Sequence, residues 1–366
     1  MSSLLSNLTQ NGMTIILFIL IFGAVVIAHE FGHFLLAKAN GIHVVEFAIG
    51  MGPNLISVKK GETRYSLKLF PIGGACMFEG EDGLMEKDAE PGEGSFLKAS
   101  VWGRISTVVA GPFFNFILAF IIAFIMVNMS NIIAIRDPVA TQVVEGGGAE
   151  AAGLQDGDII ISLNGERMRL YQEISLYMQA SYRGGDLTVV YERDGERYTT
   201  TLTPQYSADY DIYMLGVANN EYVEPSGFAT LRYAWYEMRY SVKATYKSLA
   251  MLFQGRVSRK DVAGPVGIAV NVVGETYKAA KSYGWQSVLL SMLNITLMLS
   301  VNLGILNLLP IPALDGGRLV FLLVEVIRGK PVPPEKEGMV HFVGLMFFMI
   351  LMVFIFVNDI ANIIQH

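Results

Sequence analysis

Charge, histidine and cysteine are all scarce in this chain. Of its 366 residues only 16% are Asp, Glu, Lys or Arg, five are His and one is Cys, while 52% are hydrophobic and the mean hydropathy is +0.43. So little charge lies outside the range of an ordinary soluble domain and predicts an integral membrane protein. A lone Cys76 leaves no intrachain disulfide to build, and an ordinary small residue is expected there. The net charge of −6 suggests neither a nucleic-acid partner nor a polybasic lipid anchor. Residues 1–12 contain no Lys or Arg, and no small-residue cleavage site follows, so the first apolar run is read as a retained span rather than a signal peptide.

Four long runs with few charges are present, at residues 13–37, 105–129, 288–314 and 339–364. At about 1.5 Å per residue, each is long enough to cross a hydrocarbon core of roughly 30 Å. Basic residues gather after the first run (Lys38, Lys59, Lys60, Arg64, Lys68, Lys87, Lys98, Arg104) and before the fourth (Arg318, Arg328, Lys330, Lys336). The positive-inside rule therefore predicts cytoplasmic placement for these two loops, with both termini and the long segment between spans two and three outside.

Four regions follow from these patterns. Residues 1–129 hold the first two spans and a cytoplasmic loop. Residues 131–217 alternate short β-type runs with Gly and Asp turns around one helical stretch, which predicts a small α+β domain outside the membrane. Residues 226–286 open with an apolar period of 3.6 (Phe228, Trp235, Val242, Leu249), interleaved with Arg232, Arg239, Lys243 and Lys247. That amphipathic helix either lies in the headgroup region or packs on the preceding domain. Residues 287–366 hold the last two spans.

The chemistry is concentrated in "HEFGH", residues 29–33, inside the first span. His29 and His33 are four apart, so on a helix they project from one face and can share a metal ion, with Glu30 beside them to take a proton from water. Ionisable groups inside a span are costly, roughly 3 kcal/mol each at the bilayer centre, and persist where they face a cavity with a partner. A catalytic metal site wants a third protein ligand. His43, His341 and His366 are read as ordinary surface or interfacial residues, whereas Asp315 in "NLLPIPALDGGR" ends the third span on the same side as His29 and His33. Two imidazoles and a carboxylate suit zinc. In "RYSLKLFPIGG" the residues Tyr65, Leu67 and Leu69 alternate as a strand, which predicts an edge able to pair with an unwound substrate segment. Pro310 and Pro312 should break the third span and free carbonyls for substrate.

"HEFGH" in the first span, "NLLPIPALDGG" in the third and an inserted "GGGAEAAGLQDGDIIISLNGERM" resemble the site-2 proteases, which are intramembrane zinc metalloproteases. The closest subgroup is the bacterial regulator-of-sigma-E-protease type (RseP/RasP-like), in a form with a single PDZ domain. "AGPFFNFILA" and "DVAGPVGI" are similar to further motifs of that family. The resemblance implies a polytopic α-helical membrane protein of four transmembrane helices, with an inserted α+β PDZ domain and a membrane-associated β-hairpin. It implies Zn2+ held by His29, His33 and Asp315, Glu30 as general base, and Asn307 as a contact to substrate backbone. It implies a multi-pass protein of the bacterial cytoplasmic (inner) membrane, with its active site near the cytoplasmic side. The substrate would be a single-pass membrane protein, such as an anti-sigma factor already cut once outside, and the PDZ domain would read a peptide C-terminus or exclude an ectodomain by bulk. Family members also carry two tandem PDZ domains, where this chain fits one. The residues themselves leave two alternatives: a metal-ion carrier or sensor, which calls for further acidic or His residues through the bundle, and a PDZ-based membrane scaffold without proteolysis.

Overall fold

A segment surrounded by hydrocarbon must close its backbone hydrogen bonds internally, and in the computed structural model each of the four apolar runs forms a long helix, the third only as far as Leu308. The structure describes residues 2–80, 92–129, 135–208, 212–257 and 263–365. Lys87, residues 131–134, Asp261, Val262 and His366, which figure in the sequence reading, lie outside these. The chain divides into two units, residues 1–122 with 258–366, and residues 123–257.

The first unit begins with α1 (Ser2–Ala39), followed by β1 (Val44–Lys60), β2 (Thr63–Phe78) and α2 (Val101–Asn128). The two strands are each folded into two legs. Gly50 and Gly52, both at φ +88, bend β1, and Gly73 at φ +80 bends β2. Residues 63–68 pair with 54–60 on one side and, at 64–67, with 46–49 on the other, while residues 74–78 pair with 44–49. The stretch containing Tyr65 and Leu67 is therefore interior to a small sheet, and residues 74–78 form one of its edges.

The second unit contains β3 (Gln142–Val143), α3 (Gly148–Ala151), β4 (Ile159–Leu163), β5 (Glu166–Arg167), α4 (Gln172–Ala180), β6 (Leu187–Arg193), β7 (Glu196–Leu202), β8 (Gln205–Ser207), β9 (Ile212–Met214), β10 (Val217–Ala218) and α5 (Phe228–Phe253). A four-stranded sheet of order β5-β4-β6-β7 covers a core that includes Leu154, Ile160, Leu163, Ile174, Leu187 and Val189. Asn164 and Gly165 take positive φ in the turn after β4, and Asp194 and Gly195 do so after β6, as tight hairpins require. The amphipathic helix α5 packs on α4: Arg239 and Lys243 meet the fully buried Glu173, and Lys243 and Lys247 reach Glu166 at 2.6 and 2.8 Å. Of the two placements open to α5 from its sequence, the structure shows packing on the domain that precedes it.

The chain re-enters the first unit through α6 (Pro265–Gly267), a seven-residue π-helix (Ile268–Gly274), α7 (Glu275–Lys281), α8 (Trp285–Leu308), α9 (Asp315–Arg328) and α10 (Pro334–Gln365). Asp359 of α10 is buried, and its carboxylate accepts the N–H groups of Gly264 and Gly267 at 2.9 and 2.8 Å. The third span ends at Leu308 rather than at residue 314. Pro310 has no N–H to give, and it drives Leu309 to the extended ψ of 143°, so the helix stops before it. Asp315 consequently opens a separate amphipathic helix, α9, instead of ending the span. Phe18 and Ile21 of α1 pack with Val273, Met292 and Ile295, and a second cluster joins Ala37, Val44, Phe78, Phe96, Val108 and Leu322. Four helices among the described residues are long and apolar enough to cross a bilayer, and with these strands they make this a polytopic membrane protein.

Candidate metal centre

The side chains that matter come from four elements. One helical turn separates His29 from His33 on α1, so both Nε2 atoms face the same way and stand 3.2 Å apart. Asp315, the first residue of α9, places Oδ2 3.1 Å from Nε2 of His29 and 3.4 Å from Nε2 of His33. Four ligands held tetrahedrally at zinc–nitrogen and zinc–oxygen distances would be about 3.3 Å from one another. The three observed separations match that edge length, so the donor set and its spacing both fit zinc. Among the described residues this is the one group of three such side chains gathered closely enough to hold a metal.

The rings are oriented from behind. His33 donates Nδ1–H to the Thr107 carbonyl of α2 at 2.8 Å. The Asn115 side-chain amide, fully buried on the same helix, lies 3.2 Å from Nδ1 of His29. The amide atom at that distance is Nδ2, and Oδ1 is buried without a partner. With Nε2 turned toward a metal each Nδ1 carries the ring proton, and an Asn115 amide turned by 180° presents Oδ1 to accept it. Ser300 of α8 donates to the Asn115 carbonyl at 2.8 Å, tying a third helix to this arrangement. The sequence reading did not single out Asn115, Thr107 or the close approaches around them. A signal existed for the first: an amide side chain inside an otherwise apolar span needs a polar partner.

Two glycines set how closely the pieces fit. A Cβ on Gly111 of α2 would lie 2.2 Å from Nε2 of His33, and a Cβ on Gly74 of β2 would lie 2.8 Å from Cγ of Glu30. The general-base candidate therefore rests against the edge of the small sheet, where it also takes a backbone hydrogen bond at Cys76. Asn307 comes to the cluster, its amide 3.5 Å from Nε2 of His29. Tyr65 and Leu67 do not form an edge beside it: Tyr65 packs on Phe34 and Phe47, and residues 64–67 have strand neighbours on both sides, while Leu69 lies beyond that doubly paired stretch. Pro310 is exposed in the loop between α8 and α9. Glu325, an acidic residue of the kind the ion-carrier alternative calls for, pairs with Arg104 at 2.5 Å.

A family model described as peptidase family M50 matches residues 17–351. The chain belongs to that family. It is 36% identical to a Clostridium acetobutylicum protein provisionally named a zinc metalloprotease, over 95% of this chain and 97% of the relative. It is 34% identical to the zinc metalloprotease RasP of Geobacillus kaustophilus and 32% identical to the regulator of sigma-W protease RasP of Bacillus subtilis, each over 95% of this chain and 98% of the relative. The two RasP alignments extend over 425 and 426 positions, more than the 366 residues of this chain, so those relatives carry inserted sequence that it lacks. This M50 protein is an intramembrane zinc metalloprotease.

Proposed function

We propose that His29, His33 and Asp315 are the zinc ligands, that Glu30 is the proton carrier, and that the enzyme cuts single-pass membrane proteins near the cytoplasmic face. The observation that carries this reading is the cluster itself: three donors at tetrahedral edge distances, with a carboxylate from the next residue along the helix facing an unpaired strand edge. Bound zinc supplies Lewis acidity toward the scissile carbonyl and lowers the pKa of a water toward neutrality. Glu30 then accepts a proton from the attacking water and delivers it to the leaving amine.

A transmembrane helix hides its peptide bonds, so it must be unwound and held extended before hydrolysis. Residues 74–78 offer the means, because among the described residues no strand pairs on their outer side and Gly74 sits against Glu30. A substrate segment adding there as a strand would pass the proton carrier directly. The substrate edge assigned to Tyr65, Leu67 and Leu69 is thus moved to this stretch. Asn307, beside His29, is suited to hold a backbone group of the same segment. Exposed apolar residues of the hairpin, among them Leu55, Ile56, Leu69 and Phe70, favour its dipping into the bilayer.

The second unit is read as a PDZ domain outside the membrane, on the side opposite the Lys- and Arg-rich loops. Its role is to screen substrates. Tyr171 donates its hydroxyl to the Val217 carbonyl at 2.8 Å, so a strand added to β10 would compete for that acceptor, which favours exclusion by bulk over reading of a C-terminus. The relative from Bacillus subtilis is named for sigma-W regulation, and a membrane-anchored anti-sigma factor is the substrate class this suggests. The deciding experiment compares native protein and Glu30→Gln on single-span reporters with zinc measured in parallel. Cleavage should fall by at least ~10³-fold with zinc retained; an undiminished rate would remove Glu30 from the chemistry.

A further inference from the structure

The loop that brings Asp315 to the two histidines depends on α10 for its shape. Between Leu308 and Asp315 the backbone-to-backbone bonds are all short-range: Leu309 N–H to the Leu306 carbonyl at 3.1 Å, Ile311 N–H to the Leu309 carbonyl at 2.7 Å, Leu314 N–H to the Ile311 carbonyl at 3.2 Å, and the Leu314 carbonyl accepting from Gly317 and Arg318 of α9. Two residues before the carboxylate, Ala313 sits at φ +71, the left-handed region that a side chain disfavours. Something outside the loop must hold it there. The Ala313 N–H donates to Nδ1 of His341 on α10 at 3.0 Å. That ring is itself positioned by Phe321 of α9, the centroids 5.7 Å apart, and its buried Nε2 faces a Glu337 carboxylate oxygen at 4.0 Å, beyond hydrogen-bond reach. Three residues on, a Cβ at Gly344 would come within 2.4 Å of Pro312, so α10 lies flush against the loop. On the side where packing is missing, a cavity of about 450 Å3 is lined by Ala313, Asp315, Arg318, His341 and Phe342. With open space on that side, the imidazole is the polar contact that fixes the turn.

We infer that His341 is a positioning residue of the metal centre: by accepting the Ala313 N–H it holds the loop in the one conformation that delivers Asp315 to His29 and His33. The inference rests on the reading of Asp315 as a zinc ligand. It also replaces the expectation that His341 is an ordinary interfacial residue. The role requires an acceptor at the Nδ1 position and neither a charge nor a second bond, so an asparagine, whose Oδ1 occupies nearly the same place, should serve.

The test uses full-length protein purified in detergent and measures zinc retained against a graded chelator, with folding followed by helical signal and melting. His341→Phe keeps the ring and loses the acceptor, and it should weaken zinc retention roughly 10- to 100-fold, as outer-shell losses do. His341→Asn should recover to within about threefold of native. Adding Ala313→Gly to His341→Phe should also restore zinc, because glycine adopts the left-handed geometry without help; this double variant also serves should His341→Phe alone not fold. Native zinc retention in folded His341→Phe overturns the inference, as does an Asn variant no better than the Phe variant, or a double variant as loose as the single one. Asp315→Asn is run beside them: if it keeps zinc as native does, the ligand reading itself is wrong, whereas loss of zinc there with retention in His341→Phe sinks the positioning role alone.

Discussion

Replacing Gly111 with alanine adds one methyl group, and it adds it against the atom of His33 that faces the metal site. An ideal Cβ at 111 lies 2.2 Å from Nε2 of His33, 2.5 Å from Cε1 and 2.8 Å from Cδ2, where ordinary contact begins at 3.4 Å. The ring or the helix must therefore retreat by more than about 1 Å, and packed interiors do not yield that distance freely. Rotation away is opposed because Nδ1 is held at 2.8 Å by the Thr107 carbonyl, one turn earlier on the same helix. Since Nε2 stands 3.2 Å from His29 and 3.4 Å from Asp315, close to the separation that zinc requires, a displacement of that size takes one of the three proposed ligands out of reach. Zinc affinity should fall by about two orders of magnitude, roughly 2.8 kcal/mol. Glycine to alanine inside an unhindered helix stabilises by up to about 1 kcal/mol, so the expected sign is the reverse of the generic one. Gly23→Ala in the first span is the control, because no atom lies within 4 Å of its Cβ. The assay is zinc content after chelator dialysis, with reporter cleavage alongside. Native zinc and native cleavage in Gly111→Ala would refute the account of how α1 and α2 build the site.

Gly74→Ala presses on Glu30 and Val26 instead of the ligands, so zinc should be retained while kcat falls on the order of tenfold or more; equal loss of zinc would contradict the division of labour. Asp359→Leu leaves the N–H groups of Gly264 and Gly267 buried without an acceptor and should cost on the order of 2 to 4 kcal/mol in a melt of the detergent-purified protein, with Asp359→Asn milder. Burial pushes the Glu237 carboxyl of α5 up to about 7, with the nearby Glu173 charge adding to the effect and the Gln172 hydrogen bond opposing it. A carboxyl raised in this way contributes stability that is complete below its unfolded pKa and is lost as pH rises through 7. Hydrogen exchange in α4 and α5 should therefore quicken between pH 5 and 8 by an amount on the order of 2 kcal/mol, and Glu237→Gln should flatten that dependence.

The spans, the two-histidine spacing and the small α+β domain were legible because each follows from local pattern. An apolar run with no water to pair its amides becomes a helix, and residues four apart on it share a face, whatever else the chain does. The break before Pro310 was equally local, although its consequence, that Asp315 begins a new helix, was not drawn from the sequence. The identity of the strand edge was out of reach. Alternation in residues 65–69 announces a strand but not how many neighbours it has, and glycines at 50, 52 and 73 folded two strands into four legs that put residues 65–67 inside the sheet.

What the sequence by itself determined is therefore the set of chemical groups and their order along each helix: two imidazoles and a carboxylate on one turn, a second carboxylate after a proline-broken span. What only the tertiary structure decided is the distances between groups that are far apart in the chain, such as the 3.1 Å from His29 to Asp315, the 2.8 Å from His33 to Thr107 and the 3.0 Å from Ala313 to His341. Side-chain type and helical period are encoded residue by residue. A coordination geometry is set by how four elements pack, and that depends on many contacts at once, including room left at glycines that carry no chemistry of their own.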